Sequence, residues 1–203
     1  MIDATRFLVS RGNDEPAWFA ARSLGVTATA VAEVAAKRDR QAAIEAWLSP
    51  TPVEQNVYMQ FGVEAEPQMM RYAHSEHGIL PIDWVIASDR DGRHLASPDG
   101  LSLDHRLIAE CKAPGDPWDS ALVKITGIPI RYRRQVQWQL HVTGAERCLF
   151  LWNRRVEDGA WFRLAWFEPR SVWIGRDEEM IADLIEVATE MLEARDGAIQ
   201  RAA

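Results

Sequence analysis

Ser97-Pro98-Asp99-Gly100 and, further along, Leu107-Ile108-Ala109-Glu110-Cys111-Lys112 decide the reading of this chain. The second stretch opens as an apolar run, and the residues from Gly100 to Arg106 are polar enough to turn. The pair therefore predicts a hairpin with Asp99 and Glu110 on neighbouring strands. Side chains alternate across a strand, so Glu110 and Lys112 share one face and Cys111 takes the other. Two carboxylates side by side repel each other unless a cation lies between them. Their hard oxygens suit Mg²⁺ or Mn²⁺ and not Zn²⁺. An ion held there activates water and neutralises developing charge. Lys112 is placed to orient or deprotonate that water, or to stabilise the charge. Solvated hairpins carry the same residue types, because charged side chains favour surfaces. The surrounding sequence has to separate the two readings.

The 203 residues fit one domain with a sizeable core, spanning 1–203 with a frayed tail from about 195. The two cysteines, Cys111 and Cys148, lie in apolar runs and read as buried thiols, not as a disulfide framework. No apolar run reaches membrane-spanning length and no signal peptide opens the chain, so a cytoplasmic location is expected. The net charge of −7 argues against a protein that coats DNA nonspecifically. It leaves room for a local basic channel built from Arg131, Arg133 and Arg134, with Arg93 and Lys124 adding to it. A solvated helix end explains the same arginines. Most of the nine tryptophans read as core, with Trp118 the best candidate for stacking on a base. His74 and His77 lack metal-ligand partners and read as surface.

Along the chain, residues 16–22 predict a short helix with Trp18 and Arg22 one turn apart. Gly25-Val26-Thr27-Ala28-Thr29-Ala30 starts another, with a threonine as N-cap. A helix N-terminus with hydroxyls and a nearby arginine is a natural phosphate site, and capping is compatible with that role. Ala42 to Leu48 is helical and is broken by Ser49-Pro50-Thr51-Pro52. The next helix, Tyr58 to His77, carries Glu64 and Glu66, with Met69, Met70 and Tyr72 on an apolar side. Strands over Trp84–Ala87 and Arg93–Ser97, with the one ending at Lys112, predict an antiparallel meander. The Pro- and Gly-containing stretch from Ala113 to Pro129 reads as a loop over the site. From Tyr132 to His141 the spacing is helical, with Tyr132, Gln135 and Gln139 on one face and Val136 and Leu140 on another. Arg147–Asn153 and Trp161–Glu168 read as strands joined by a turn at Glu157-Asp158-Gly159. An amphipathic helix from Asp177 to Ala194 closes the chain, with its stripe on Met180, Ile181, Leu184, Ile185, Ala188, Met191 and Leu192.

Four blocks then stand in a recognisable order: Trp18-x-x-x-Arg22 with Gly25-Val26-Thr27-Ala28-Thr29; Gly62-x-x-x-Glu66; Ser97-Pro98-Asp99-Gly100 with Glu110-Cys111-Lys112; and Gly127-Ile128-Pro129 with Tyr132-x-x-Gln135-Val136-Gln137. Between Pro16 and Asn153 the chain resembles the lambda-exonuclease or YqaJ-type viral recombinases of the PD-(D/E)xK nuclease superfamily. The resemblance implies an α/β fold with a restriction-endonuclease-like core, a mixed, mostly antiparallel central sheet flanked by helices. It implies that Asp99, Glu110 and Glu66 hold one or two Mg²⁺ or Mn²⁺ ions, with the Cys111 carbonyl as a further ligand. Lys112 matches the catalytic lysine and Gln135 the active-site glutamine, with Tyr132 beside it. Arg22 and Thr29 match positions that hold the 5′-phosphate, and Thr27, Arg131 and Arg134 are further DNA-binding candidates. Glu64 competes with Glu66, but the spacing after Gly62 favours Glu66. The implied activity is 5′-to-3′ digestion of one strand of linear duplex DNA. Implied partners are DNA ends, a single-strand annealing protein and further copies of the chain in a trimer.

Two other readings remain at this level. An endonuclease on the same fold would cut closed circular DNA. Forms with a four-cysteine iron–sulfur cluster are excluded by the two cysteines. A catalytically silent DNA-binding module has no use for three mutually strained charges.

Overall fold

The computed structural model describes residues 6–12, 14–49, 56–115, 123 and 127–202. Trp118 and Lys124, and the break at Pro50-Thr51-Pro52, lie outside the described residues, as does most of the stretch expected to cover the site.

The elements run β1 (Phe7–Ser10), α1 (Glu15–Ser23), β2 (Val26–Thr27), α2 (Ala28–Ala35), α3 (Arg40–Leu48), α4 (Val57–His77), β3 (Ile79–Pro81), β4 (Trp84–Ala87), β5 (His94–Ala96), β6 (Gly100–Ser102) and β7 (Leu107–Lys112). They continue with α5 (Ile130–Thr143), β8 (Arg147–Trp152), β9 (Arg155–Asp158), β10 (Trp161–Leu164), β11 (Arg170–Gly175) and α6 (Glu178–Ala202). Side-chain caps fix several helix starts: Asp14 accepts from Ala17 N, Asp39 from Ala42 N, and Asn56 from both Tyr58 N and Met59 N. Gly78 (φ 66°) and Gly144 (φ 75°) take the left-handed conformation that ends α4 and α5.

Among the described residues the strands form a five-stranded sheet in the order β11-β8-β7-β6-β3, a four-stranded sheet β1-β4-β5-β2, and the hairpin β9-β10. β7 runs parallel to β8, and β2 to β5; the other neighbours are antiparallel. The α/β architecture, mixed, mostly antiparallel and flanked by helices, is as expected, but the strands divide between two sheets and a hairpin in place of the one expected central sheet. The expected meander is corrected. β4 and β5 belong to the four-stranded sheet, whereas β6 and β7 belong to the five-stranded one. The chain changes sheet at Ser97-Pro98, where proline has no N–H to continue a ladder. The Glu157–Gly159 turn joins β9 to β10, and β8 instead lies between β7 and β11.

Alternation on the two central strands decides what lies on each face of the five-stranded sheet. Ile108 of β7 and Cys148, Phe150 and Trp152 of β8 pack into the core that contains α2, α5 and α6. Ala109, Cys111, Leu149 and Leu151 turn to the opposite face, against Phe61, Ala65, Met69 and Met70 of α4. Both cysteines are free and buried, as expected. Glu110 and Lys112 therefore project toward α5.

The final helix runs from Glu178 to Ala202, past the expected end at Ala194. Its buried stripe of Ile181, Leu184, Val187, Ala188, Met191 and Leu192 seats it on the core. Beyond that stripe, Arg195 donates to the Ser23 carbonyl at 3.3 Å and Asp196 accepts from Arg93 at 2.9 Å. His74 is exposed as expected, but His77 packs edge-on between the rings of Tyr72 and Trp173.

Candidate active site

The β6–β7 hairpin brings Asp99 and Glu110 together. Asp99 N donates to the Ala109 carbonyl at 3.0 Å, and the Asp99 carboxylate accepts from Cys111 N at 2.6 Å. Glu110 is only 2% exposed. One of its oxygens accepts from the Lys112 ammonium and from Gln135 Nε2, the latter at 2.6 Å. The other accepts from Gln139 Nε2 at 2.7 Å. Gln135 and Gln139 are one turn apart on α5, so both amides reach the same carboxylate.

These groups open onto a pocket of about 880 Å³. Asp99, Cys111, Lys112 and Gln135 line it, and α4 adds Glu66. The helix serves two faces: Phe61, Ala65 and Met69 enter the core, while Met59, Gly62, Val63 and Glu66 form the stripe beside it that faces the pocket. Glu64 is instead exposed and accepts from the Trp161 indole at 2.9 Å. Of the two competing acids, Glu66 is the one the fold directs into the pocket.

The electrostatics follow from burial. Desolvation, and then the neighbouring Glu110, push the Glu66 carboxyl up to about 7. Burial, followed by Glu110 and Glu66, raises Asp99 well above the ordinary carboxylate range. For Lys112, burial favours the neutral amine, but the charges of Glu110 and Asp99 outweigh it and hold the ammonium charged. Burial likewise pushes the Cys111 thiol up, so it stays protonated.

The remaining candidates separate. The Arg22 guanidinium lies 4.5 Å from the Trp18 ring and donates to Ser97 Oγ at 3.1 Å, immediately before the Pro98-Asp99 pair. Thr29 lines the pocket, whereas Thr27 is the α2 cap, accepting from Ala30 N at 3.5 Å. Tyr132 lines the pocket with Arg131 over its ring at 4.4 Å. The arginine cluster does not act as a unit. Arg133 pairs with Asp177 at 2.8 Å, Arg93 pairs with Asp91 and Asp196, and neither Arg133 nor Arg134 lines the pocket. Arg131 and Arg134, three apart, share a side of α5, while Arg133 turns to Asp177; Lys124 lies outside the described residues.

Sequence reasoning missed two residues here. Gln139 had a signal, its helical spacing from Gln135. Arg155 had none: it reaches the pocket from β9, with its guanidinium 4.4 Å from the Tyr58 ring and 3.2 Å from the Ala113 carbonyl. On the other side of Tyr132, a groove of about 400 Å³ runs along α2 past Lys37. Thr29, Arg131, Tyr132 and Gln135 border both spaces.

The donor set fits a hard divalent cation. Burial and then the charge of Glu110 raise both Asp99 and Glu66, and Glu66 adds to the rise at Asp99, a strain that a cation relieves. No three His, Cys, Asp or Glu side chains among the described residues close into a metal cluster by themselves. Glu110 is held by nitrogen donors in this arrangement.

An α/β core of this topology, with an Asp–Glu–Lys site on its central hairpin, defines a nuclease of the PD-(D/E)xK class. The comparisons place it more closely. Residues 17–146 match the YqaJ-like viral recombinase domain, and the chain belongs to that family. It is similar to LHK-Exo, an alkaline exonuclease from Laribacter hongkongensis: 29% identical over 92% of this chain and 95% of that one, with a TM-score of 0.70. LHK-Exo in complex with dAMP gives 30% identity and a TM-score of 0.71 over the same shares. A phage-related exonuclease from Haemophilus somnus 129PT shares the fold at 14% identity and a TM-score of 0.67, over 89% of this chain and 97% of that one. No curated protein matches the chain. No helix among the described residues is long and apolar enough to cross a membrane.

Proposed function

We propose that this protein is a Mg²⁺-dependent exonuclease, one nuclease unit over residues 1–203, that digests one strand of linear double-stranded DNA from the 5′ end. The observation that carries the reading is the clustering of Glu66, Asp99 and Lys112 at one pocket, with Glu110 buried directly behind Lys112 and Gln135. Asp99, Glu110 and Glu66, with the Cys111 carbonyl, would hold one or two Mg²⁺ or Mn²⁺ ions. Such an ion supplies an activated water and a counter-charge for the phosphodiester. The protein's own groups do the rest. Lys112, held as an ammonium by Glu110 and Asp99, would orient the attacking water or stabilise negative charge in the transition state. Gln135 restrains Glu110, and Tyr132 walls the pocket. Arg22, Thr29 and Arg131 anchor phosphate at the pocket and its rim, so that end-dependence follows from where the strand is held. Thr27 contributes by setting the start of α2, and Arg134 would touch DNA only farther out. That LHK-Exo was crystallised with dAMP, a nucleoside monophosphate of the kind exonucleases release, agrees with this chemistry.

The same reading assigns it a role in phage-type recombination within a bacterial cytoplasm, beside a single-strand annealing protein, and a ring of copies, a trimer, around the duplex. The test is one gel with Mg²⁺ and three DNAs: 5′-phosphorylated linear duplex, 5′-hydroxyl linear duplex and covalently closed circle, with EDTA and Lys112→Ala controls. Digestion of the phosphorylated linear duplex first, with the circle intact and both controls inactive, is expected. A cut circle replaces the reading with an endonuclease, and no cutting with any divalent metal replaces it with a binding module.

A further inference from the structure

Gln139 is among the most deeply buried polar side chains of the protein, 1% exposed on the core side of α5 between Trp138 and Leu140. Packing does not explain an amide there. Its Nε2 donates to Glu110 at 2.7 Å, while its Oε1 is buried with no hydrogen-bond partner. An unmet buried acceptor costs free energy that a methionine of the same length would not. What the amide supplies is a donor aimed at the one Glu110 oxygen that neither Lys112 nor Gln135 reaches. A carboxylate held through only one oxygen can swing about its terminal torsion, which is broad. Held through both, it has one orientation.

We infer that Gln139 is a positioning residue: it locks the rotation of the Glu110 carboxylate, and so sets the direction in which that group presents itself to metal and substrate. The inference rests on the proposed role of Glu110 as a metal ligand. Being inaccessible, Gln139 touches no DNA and acts only through Glu110. Groups that orient a ligand from behind change metal affinity or activity by about 10–100-fold when removed.

The test compares wild type with Gln139→Met, checked for a cooperative thermal transition, and with Gln139→Leu should the first not fold. Mn²⁺ binding is followed by calorimetry without DNA, and kcat and KM on linear duplex are measured separately. Expected is a Mn²⁺ Kd weakened by about 10-fold and a kcat lowered by about 10–100-fold, with KM for DNA unchanged. A folded variant with unchanged Mn²⁺ affinity and kcat overturns the inference, since a residue needed only for packing gives that result. Independently, the side-chain amide resonances of Gln139 in the wild-type protein should shift when Mg²⁺ is added; resonances that stay put overturn it without any variant. If wild type binds Mn²⁺ and cuts no DNA, the exonuclease reading fails while the metal-affinity comparison still decides the role of Gln139.

Discussion

Arg22 reaches from α1 to Ser97, its Nη1 donating to the hydroxyl at 3.1 Å, and so links the first helix to the residue that precedes Pro98-Asp99. The Trp18 indole lies 4.5 Å from the guanidinium and limits its swing. Arg22→Lys keeps the charge and loses the planar fork. A charge-assisted hydrogen bond is worth about 1.5–3 kcal/mol, roughly 10–100-fold in rate. The substitution should therefore slow digestion of 5′-phosphorylated ends by that factor and spare 5′-hydroxyl ends. Time courses on the two substrates check it, and equal losses on both would remove Arg22 from phosphate recognition.

Lys112 is the cation paired with Glu110, whose side chain is 2% exposed. Lys112→Ala takes away transition-state stabilisation worth about 10²–10³-fold in kcat. It also leaves a buried carboxylate without its cation, a loss of about 3–5 kcal/mol. Single-turnover rates and urea unfolding in EDTA measure the two effects apart. A variant that stays fully active ends the proposed mechanism.

Gly25 and Gly62 should respond in opposite directions. A Cβ at Gly25 would sit 2.0 Å from the Arg93 carbonyl oxygen, a backbone atom that cannot step aside, because β2 and β5 pair there. Gly25→Ala should cost about 2–3 kcal/mol, as overpacking does. At Gly62, inside α4, a Cβ meets nothing within 4 Å. Gly62→Ala should add about 0.5–1 kcal/mol through helix propensity. Denaturant midpoints at constant slope give both values.

His141 gives a pH signature away from the catalytic residues. Its Nε2 is 3.1 Å from His94 Nδ1 and both rings are buried. Burial first, then His94 and the arginines Arg90 and Arg176 against Asp89, hold His141 down to about 4. An unfolded histidine titrates near 6.5. Between about 6.5 and 4 the unfolded chain thus binds a proton that folded His141 refuses, so the His141 contribution to stability falls as pH falls through that window, opposite in sign to that of the raised Glu66. His141→Gln should remove that contribution, so that lowering the pH from about 6.5 to 4 costs the variant less Tm than it costs wild type. An equal loss of Tm would show that other groups set it.

What the sequence made legible was what short spacings carry. Period-two alternation put Glu110 and Lys112 on one face and Cys111 on the other, and helical spacing put Gln135 and Gln139 together. The choice of Glu66 over Glu64 followed from one interval after Gly62. Long-range assembly was not legible. Nothing local in Arg155 indicates that β9 will deliver it to the pocket beside Tyr58. The split of the expected meander turns on one Ser-Pro step, and the order of β8 on its neighbours' pairing. Of the arginine run, Arg131 lines the pocket and Arg133 turns to Asp177, a difference that composition does not show and helical phase sets.

The parallel pairing of β7 with β8 joins strands separated by the whole of α5, and Glu110 of the first strand is gripped by that intervening helix. Arg22, Glu66, Asp99, Lys112 and Gln135 come from widely spaced parts of the chain and meet only when both faces of the sheet are covered. No short fragment contains the set: the β6–β7 hairpin brings Asp99, Glu110 and Lys112 together, but Glu66 arrives with α4 and Gln135 with α5. The site is therefore assembled by the whole fold, and a fragment that lacks α4 or α5 lacks part of it.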